Sequence, residues 1–436
     1  MLRQLLVWCL LVLVAGVVLA APLLRRRFPI GWWYAVGFVP VAVRVLRSWR
    51  PLAIERGLTI TRRPPLALLG TLIVRGQPLR PITPRIGIPR PRPGGLVVTV
   101  RMHAGQTPGG YAAAADSLAH AWRVHAVRVT SPERGRVRLT ALSVDPLADP
   151  CALVGPGSAD PLMCARVGRR EDGAPWVIDF RAVPHWLIVG ATQSGKSTLL
   201  SALVTRLAPQ PVALVGIDLK GGLELSPVGP RLSALATTRR EATALLEALV
   251  VETQLRMTVC RFAGARSVWE LPGGKRPMPI VVLVDEVAEL FLAASRADKD
   301  EAARAATALV RLAQLGAALG VHLVVAGQRV GSDLGPGATA LRAQLAGRVC
   351  HRVSDSGTAE MVLGDLAPDA IDAAQTISAD EPGVAILTGV GGDWMRARSL
   401  LVSPKEAVRV CAAHAHTTPH LPALAAALAS CGKGAP

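Results

Sequence analysis

The segment HWLIVGATQSGKS, His185 to Ser197, joins a short apolar run to a glycine-bounded loop and then to the start of a helix. His185 to Val189 is bulky and apolar, as a strand buried on both faces requires. Gly190, Ala191, Thr192, Gln193, Ser194, Gly195, Lys196 and Ser197 match G-x-x-x-x-G-K-[ST] at every position. In that pattern the glycines let backbone N–H groups curl around phosphates. The lysine reaches the β- and γ-phosphates, and the serine hydroxyl ligates Mg²⁺. Ser197 to Leu207 carries apolar residues at helical spacing and points its positive end at the same anion. The segment therefore predicts a site for ATP and Mg²⁺ built from residues 190–198, Thr198 included, with Lys196 as the catalytic cation.

Outward from this loop, strands and helices alternate from about Cys151 to Ser403. VALVGI (Val212 to Ile217), IVVLV (Ile280 to Val284), VHLVVA (Val321 to Ala326) and VAILT (Val384 to Thr388) are short, β-branched and apolar. Buried parallel strands look like this. Between them, Glu241 to Ala263 and Asp298 to Leu319 show three- and four-residue apolar spacing, and Gly320 stands where the second helix stops. The expected fold class is α/β, a mostly parallel sheet with helices on both faces.

IVVLV ends in Asp285-Glu286. Two carboxylates at the tip of a buried strand are costly unless a metal or a reacting group uses them. They suit a Walker B pair, with Asp285 holding Mg²⁺ through water and Glu286 polarising the attacking water. VHLVVA ends in Gly327-Gln328-Arg329, and Gln328 is the candidate to touch the γ-phosphate, the plainer reading being a turn residue satisfied by backbone. Arg348 and Arg352 are candidates for an arginine given to a neighbour's nucleotide, against ordinary surface arginines. Asp218-Leu219-Lys220 lies at another strand tip, on the edge where such folds bind ligands.

At the N-terminal end, Leu5 to Leu24 is an uncharged apolar run of about 20 residues, enough to cross a bilayer as a helix. Arg25, Arg26 and Arg27 follow. A second apolar stretch, Phe28 to Leu46, is interrupted by Pro29, Pro40 and Arg44. The pair reads either as two spans, or as one span followed by an interfacial segment anchored by Trp32, Trp33 and Tyr34. Both keep the bulk of the chain inside, so the expected location is the cell membrane with a cytoplasmic ATPase domain. The predicted order is a membrane anchor over 1–50, an extended Arg- and Pro-rich linker over 51–94, and a small α/β adaptor over 95–150. A motor over 151–403 and a tail over 404–436 complete it.

A net charge of +18 suits a polyanionic partner, either nucleic acid or an anionic membrane face. With 50% hydrophobic and 18% charged residues the chain buries a large core, which excludes a disordered protein. The scattered cysteines include no C-x-x-C pair, against a zinc ribbon or a disulfide framework.

Taken in order, GATQSGKS, IDLKGGLEL (Ile217 to Leu225), IVVLVDEVAEL (Ile280 to Leu290), GVHLVVAGQRVGSD (Gly320 to Asp333) and GRVCHRVSDSGTAEMVLGD (Gly347 to Asp365) resemble the FtsK/SpoIIIE family of DNA translocases. Within it the chain looks most like the short plasmid-transfer proteins of actinomycetes, which carry an N-terminal membrane anchor. The resemblance implies a RecA-like P-loop fold, a homo-hexameric ring, and ATP-driven movement along double-stranded DNA. It also implies nucleotide between subunits, which gives Arg348 or Arg352 a role in trans. Chromosome translocases of the family end in a winged-helix module that reads DNA sequence. The residues after Ser403 are too few for one, so a separate sequence-recognition or transfer protein is an expected partner. Where the family more often has threonine before Gln328, this chain has Gly327.

The function expected is a membrane-anchored DNA translocase serving conjugative transfer of a plasmid or integrative element. The alternative is an ATPase that powers protein secretion, a class that tends to carry several ATPase domains in tandem.

Overall fold

The computed structural model describes residues 21–23, 27–61, 81–149, 160–292, 295–331, 334–364, 368–388 and 394–432. The apolar run at 5–24 therefore lies outside the described residues, apart from 21–23. Contacts divide the chain into two compact units, Met1–Pro146 and Leu147–Pro436.

In the first unit a π-helical turn, Trp33–Gly37, runs into helix α1, Phe38–Glu55. Strands β1 (Gly95–Arg101), β2 (Ala126–Glu133) and β3 (Arg136–Leu142) pair antiparallel in the order β1-β3-β2. Between β1 and β2 lie two short helices, α2 (Pro108–Ala113) and α3 (Ala115–Trp122), separated at Ala114. Two pieces of the predicted linker, Arg85–Ile86 and Arg90–Arg92, are strands paired with β1. Proline tolerates such an edge position because no central ladder depends on its missing N–H.

Helix α1 belongs to the same core. Trp33, Val45, Trp49 and Ala53 are buried with Leu96, Val98, Leu118 and Trp122. Trp33 Nε1 donates to Gly95 O at 2.9 Å, and Trp49 Nε1 donates to Pro84 O at 2.8 Å. Trp33 is thus a core residue of the module, which corrects its reading as an interfacial anchor. No helix among the described residues is long and apolar enough to cross a membrane. The stretch read as a possible second span is instead a helix with one side in a protein core.

The second unit centres on a sheet of β4 (Cys164–Arg170), β5 (Pro175–Asp179), β6 (His185–Val189), β7 (Ala213–Ile217) and β8 (Ala234–Ala236). It also contains β9 (Ile280–Val284), β10 (Val321–Gly327), β11 (Gly347–His351), β12 (Val384–Thr388) and β13 (Trp394–Ser399). Their spatial order is β8-β7-β9-β10-β6-β11-β12-β13-β4-β5. The pairings from β8 to β11 are parallel. Those from β11 to β5 are antiparallel. The sheet is therefore mixed, not mostly parallel. The cause is visible at β12: an apolar strand covered on both faces has the same residue pattern in either direction.

Alternate residues of β6 feed two cores. Leu187 and Val189 face helices α5 (Arg239–Phe262) and α6 (Arg296–Leu319), whereas Trp186 and Ile188 face α4 (Lys196–Leu207). Capping boxes at Thr238–Glu241 and Ser295–Asp298 fix the starts of α5 and α6. Gly320, at φ +68°, ends α6 in the left-handed conformation glycine tolerates. A short helix α7 (Ser356–Leu363) follows β11. The predicted tail is folded as well: α8 (Pro404–Ala413) buries Ala407 and Cys411 in one core, and α9 (Pro422–Gly432) buries Leu424 in the other.

Candidate nucleotide site

Strand β6 ends at Val189, and the chain turns at Gly190 in a space that only glycine fits. A Cβ there would strike Ser194 Oγ and lie 2.6 Å from His351 Cβ. Gly195 has φ +112°, and a Cβ on it would meet the backbone of Gly383. Gln193 adopts φ +61°, a costly conformation for a side chain of its kind and one that gathers at ligand loops. The loop is tied down from β11 and from the approach to β12. Ala191 N donates to Arg352 O at 2.8 Å, and Gly383 N donates to Ser194 O at 2.9 Å.

Lys196 opens α4 and its Nζ donates to Gly190 O at 2.6 Å. Burial pulls its pKa down, against the opposing charge of Glu286. Ser194 is 2% exposed, and its Oγ has no partner among the described residues. Ser197 and Thr198 lie half-buried in the first turn of α4. A bare glycine backbone, a buried hydroxyl with spare hydrogen-bonding capacity and a lysine at a helix start have the chemistry of a phosphate cradle.

Asp285 and Glu286 follow β9 and are 6% and 5% exposed. Burial pushes the Asp285 carboxyl up to about 6, with the negative charges of Asp218 and Glu224 adding to the effect. A carboxylate kept in such company is suited to a cation, and Ser197 and Asp285 supply oxygen donors of the kind that Mg²⁺ takes. Glu286 is held at both oxygens. Lys220 Nζ donates to Oε2 at 3.1 Å, and Gln328 N donates to Oε1 at 3.3 Å. Burial alone would lower the Lys220 pKa, but the hydrogen bond and charge of Glu286 outweigh it and the net shift is upward.

Gln328 thus reaches the site through its backbone N–H, while its side chain is exposed. Gly327 sits against the same carboxylate: a Cβ on it would be 3.0 Å from Glu286 Oε1.

The two candidate arginines part company. Arg348 donates to Leu345 O at 2.7 Å, Val362 O at 2.9 Å and Arg342 O at 2.9 Å. A guanidinium that donates to three carbonyls of its own chain acts as a clamp of the fold. Arg352 stands beside its own phosphate loop, with Nη2 donating to Thr192 O at 3.2 Å. It lines a cavity of about 420 Å³ together with Ala191, Thr192, Gln328, Arg329 and Asp355.

Sequence reasoning left two residues without a role. Asp218 is fully buried, and its carboxylate accepts from Lys220 N at 3.2 Å, Glu224 N at 2.9 Å and Leu225 N at 3.0 Å. It folds the loop that presents Lys220 to Glu286. The signal was an acid at a strand tip followed by two glycines, both found at φ +76°. His351 packs under Gly190 with its pKa pushed down to about 4 by burial. Nothing in its sequence neighbourhood marks it.

A phosphate-binding loop after a central strand, with paired carboxylates at the tip of a strand two places away, defines a P-loop ATPase fold. Residues 18–143 match the actinomycete conjugal transfer protein N-terminal domain, and residues 158–276 and 268–332 match the FtsK/SpoIIIE family. Over 355 residues the chain is 45% identical to the transfer protein TraSA of Streptomyces ambofaciens, covering 79% of this chain and 85% of that protein. It is 29% identical over 260 residues to the DNA translocase FtsK of Chlamydia muridarum, covering 55% of this chain and 29% of that protein. The solved pCW3 conjugation coupling protein TcpA, a monomer form with ATPgS, superposes with a TM-score of 0.55 at 20% identity. That match spans 76% of this chain and 94% of TcpA and bears on fold. The chain belongs to the FtsK/SpoIIIE family and is akin to the conjugal transfer proteins of actinomycetes.

Proposed function

We propose that this chain is a membrane-anchored, ATP-driven motor that moves double-stranded DNA during conjugative transfer of a plasmid or integrative element. Two observations carry the reading. The likeness to a conjugal transfer protein runs through both the N-terminal domain and the motor, and the motor keeps Lys196, Asp285 and Glu286 together at one sheet edge.

In this reading the loop amides and Lys196 bind the phosphates, Lys196 exchanging its Gly190 carbonyl for a phosphate oxygen. Ser197 and Asp285 would hold Mg²⁺, which would neutralise charge on the phosphates. Glu286 orients the attacking water and draws on its proton. The basic surface supplies phosphate contacts to the DNA backbone, so affinity falls steeply with salt. A homo-hexameric ring, an anchor formed by Leu5 to Leu24, a cytoplasmic ATPase unit and a separate sequence-recognition or transfer protein complete the proposal.

The test is ATP hydrolysis by the full chain in detergent, with and without long double-stranded DNA, beside Lys196→Ala. Several-fold stimulation that vanishes in the variant and fades at high salt supports the motor. Intact basal turnover with no response to DNA sinks it and favours a protein substrate.

A further inference from the structure

Helix α1 and the π-helical turn before it expose apolar side chains beside the face that they bury. The inner side is consumed by the module core through Trp33, Val45, Trp49 and Ala53. The outer side carries Val36, Val39, Val43, Leu46 and Ile54 at three- and four-residue steps, interrupted only by Arg50. These side chains are exposed, Val39 by 58% and Leu46 by 49%. Scattered single apolar residues on a surface need no explanation, whereas a continuous stripe marks an interaction face.

We propose that this outer face lies on the membrane surface, so that the N-terminal module rests against anionic lipid. The proposal rests on the reading of Leu5 to Leu24 as a membrane span. If that run ends at the bilayer boundary, four residues, hence five Cα–Cα steps, separate Leu24 from Pro29, where the helical segment begins. Even fully stretched they span about 18 Å, so the helix starts close to the headgroups.

The charges fit the same occupant. Exposed Arg50 lies within the stripe, exposed Arg47 and Arg56 lie beside it, and Glu55 is the one acid of α1. Arg44 is turned inward, its Nη1 donating to Trp122 O at 2.6 Å, so it adds no charge to the outer face. Tyr34, exposed near the N-terminal end, is the kind of side chain that settles at headgroup level. An apolar face with a cationic border is what an interfacial helix presents to lipid.

The experiment uses the full chain in vesicles of phosphatidylcholine with about one third phosphatidylglycerol, an anionic fraction that gives a cationic face a partner. The photoreactive residue p-benzoylphenylalanine replaces Val12 in the apolar run, Val43 on the outer face, or Arg136 on β3 as a surface control. Lipid adducts at positions 12 and 43 but not at 136 are expected. Neutral vesicles are expected to lower the adduct at 43 by about threefold and leave that at 12 unchanged. An adduct at 12 with none at 43 overturns the proposal and leaves the anchor standing. A crosslink from 43 to another copy of the chain overturns it in favour of an interface between copies. No lipid adduct at either position sinks the anchor and this proposal together.

Discussion

The two edges of the motor sheet both hold buried ionisable groups, yet they are built for opposite ends. Beyond the carboxyl ends of β6 and β9 lie Lys196, Asp285 and Glu286. At the amino ends of β6 and β10 lie His185 and His322, packed with Phe180 and Trp269 at ring separations of 5.6 and 6.0 Å from His322. Burial pushes both histidines down to about 4, as it pushes Asp285 up to about 6. The histidines are neutral and each has one ring nitrogen engaged by backbone, at Leu323 N and Pro184 O. A shifted pKa therefore does not distinguish the edges. What distinguishes them is opposite charges converging where a helix begins with free amides.

The sharpest way to break this contrast is Glu286→Gln. Hydrolysis is expected to fall about a hundredfold or more, in the range of a lost general base, while nucleotide affinity by calorimetry stays within a few-fold. Equal loss of binding would mean that Glu286 holds the ligand instead of reacting. Arg348 and Arg352 extend the contrast along β11, one near its amino end and one just past its carboxyl end. Arg348→Ala is expected to lower stability by about 2 kcal/mol, from carbonyls left without donors, with nucleotide affinity kept. Arg352→Ala is expected to show the reverse, and chemical denaturation beside nucleotide titration separates the two.

Lys220→Ala removes a pair in which the lysine side chain is 42% exposed. Such pairs are worth about 1 kcal/mol or less, so a change of up to about fivefold in kcat is expected with little effect on melting. A loss as large as that of Glu286→Gln would make Lys220 part of the chemistry.

The smallest effects are in pH dependence. The folded chain withholds from His185 a proton that the unfolded chain accepts, so this stability is full above 6.5 and is lost as pH falls toward about 4. Asp285 acts in the other direction, adding stability as pH falls from about 6 to 3.8. His185→Asn, which keeps an acceptor for Leu323 N, is expected to flatten the fall of Tm over that range, and Asp285→Asn to steepen it. Unchanged slopes would refute the assignment.

The phosphate loop, the central strands and the long helices were legible because each is encoded by neighbours in the chain. The antiparallel half of the sheet was not, since direction leaves no mark on a fully apolar strand. The pairing of Lys220 with Glu286 joins residues 66 apart, and Arg348 reaches three carbonyls only after β11 and α7 have packed. Arg44 looked like an interruption in a second span, and only the fold turns it toward Trp122.

Positions 286 and 327 share one small space. Glu286 Oε1 fills the place beside Gly327 where a larger residue would begin, so a lineage that takes up threonine at 327 must first shift its carboxylate. Gly327→Thr alone is expected to impair hydrolysis here, and a phosphate-release assay that finds full activity would dissolve the link.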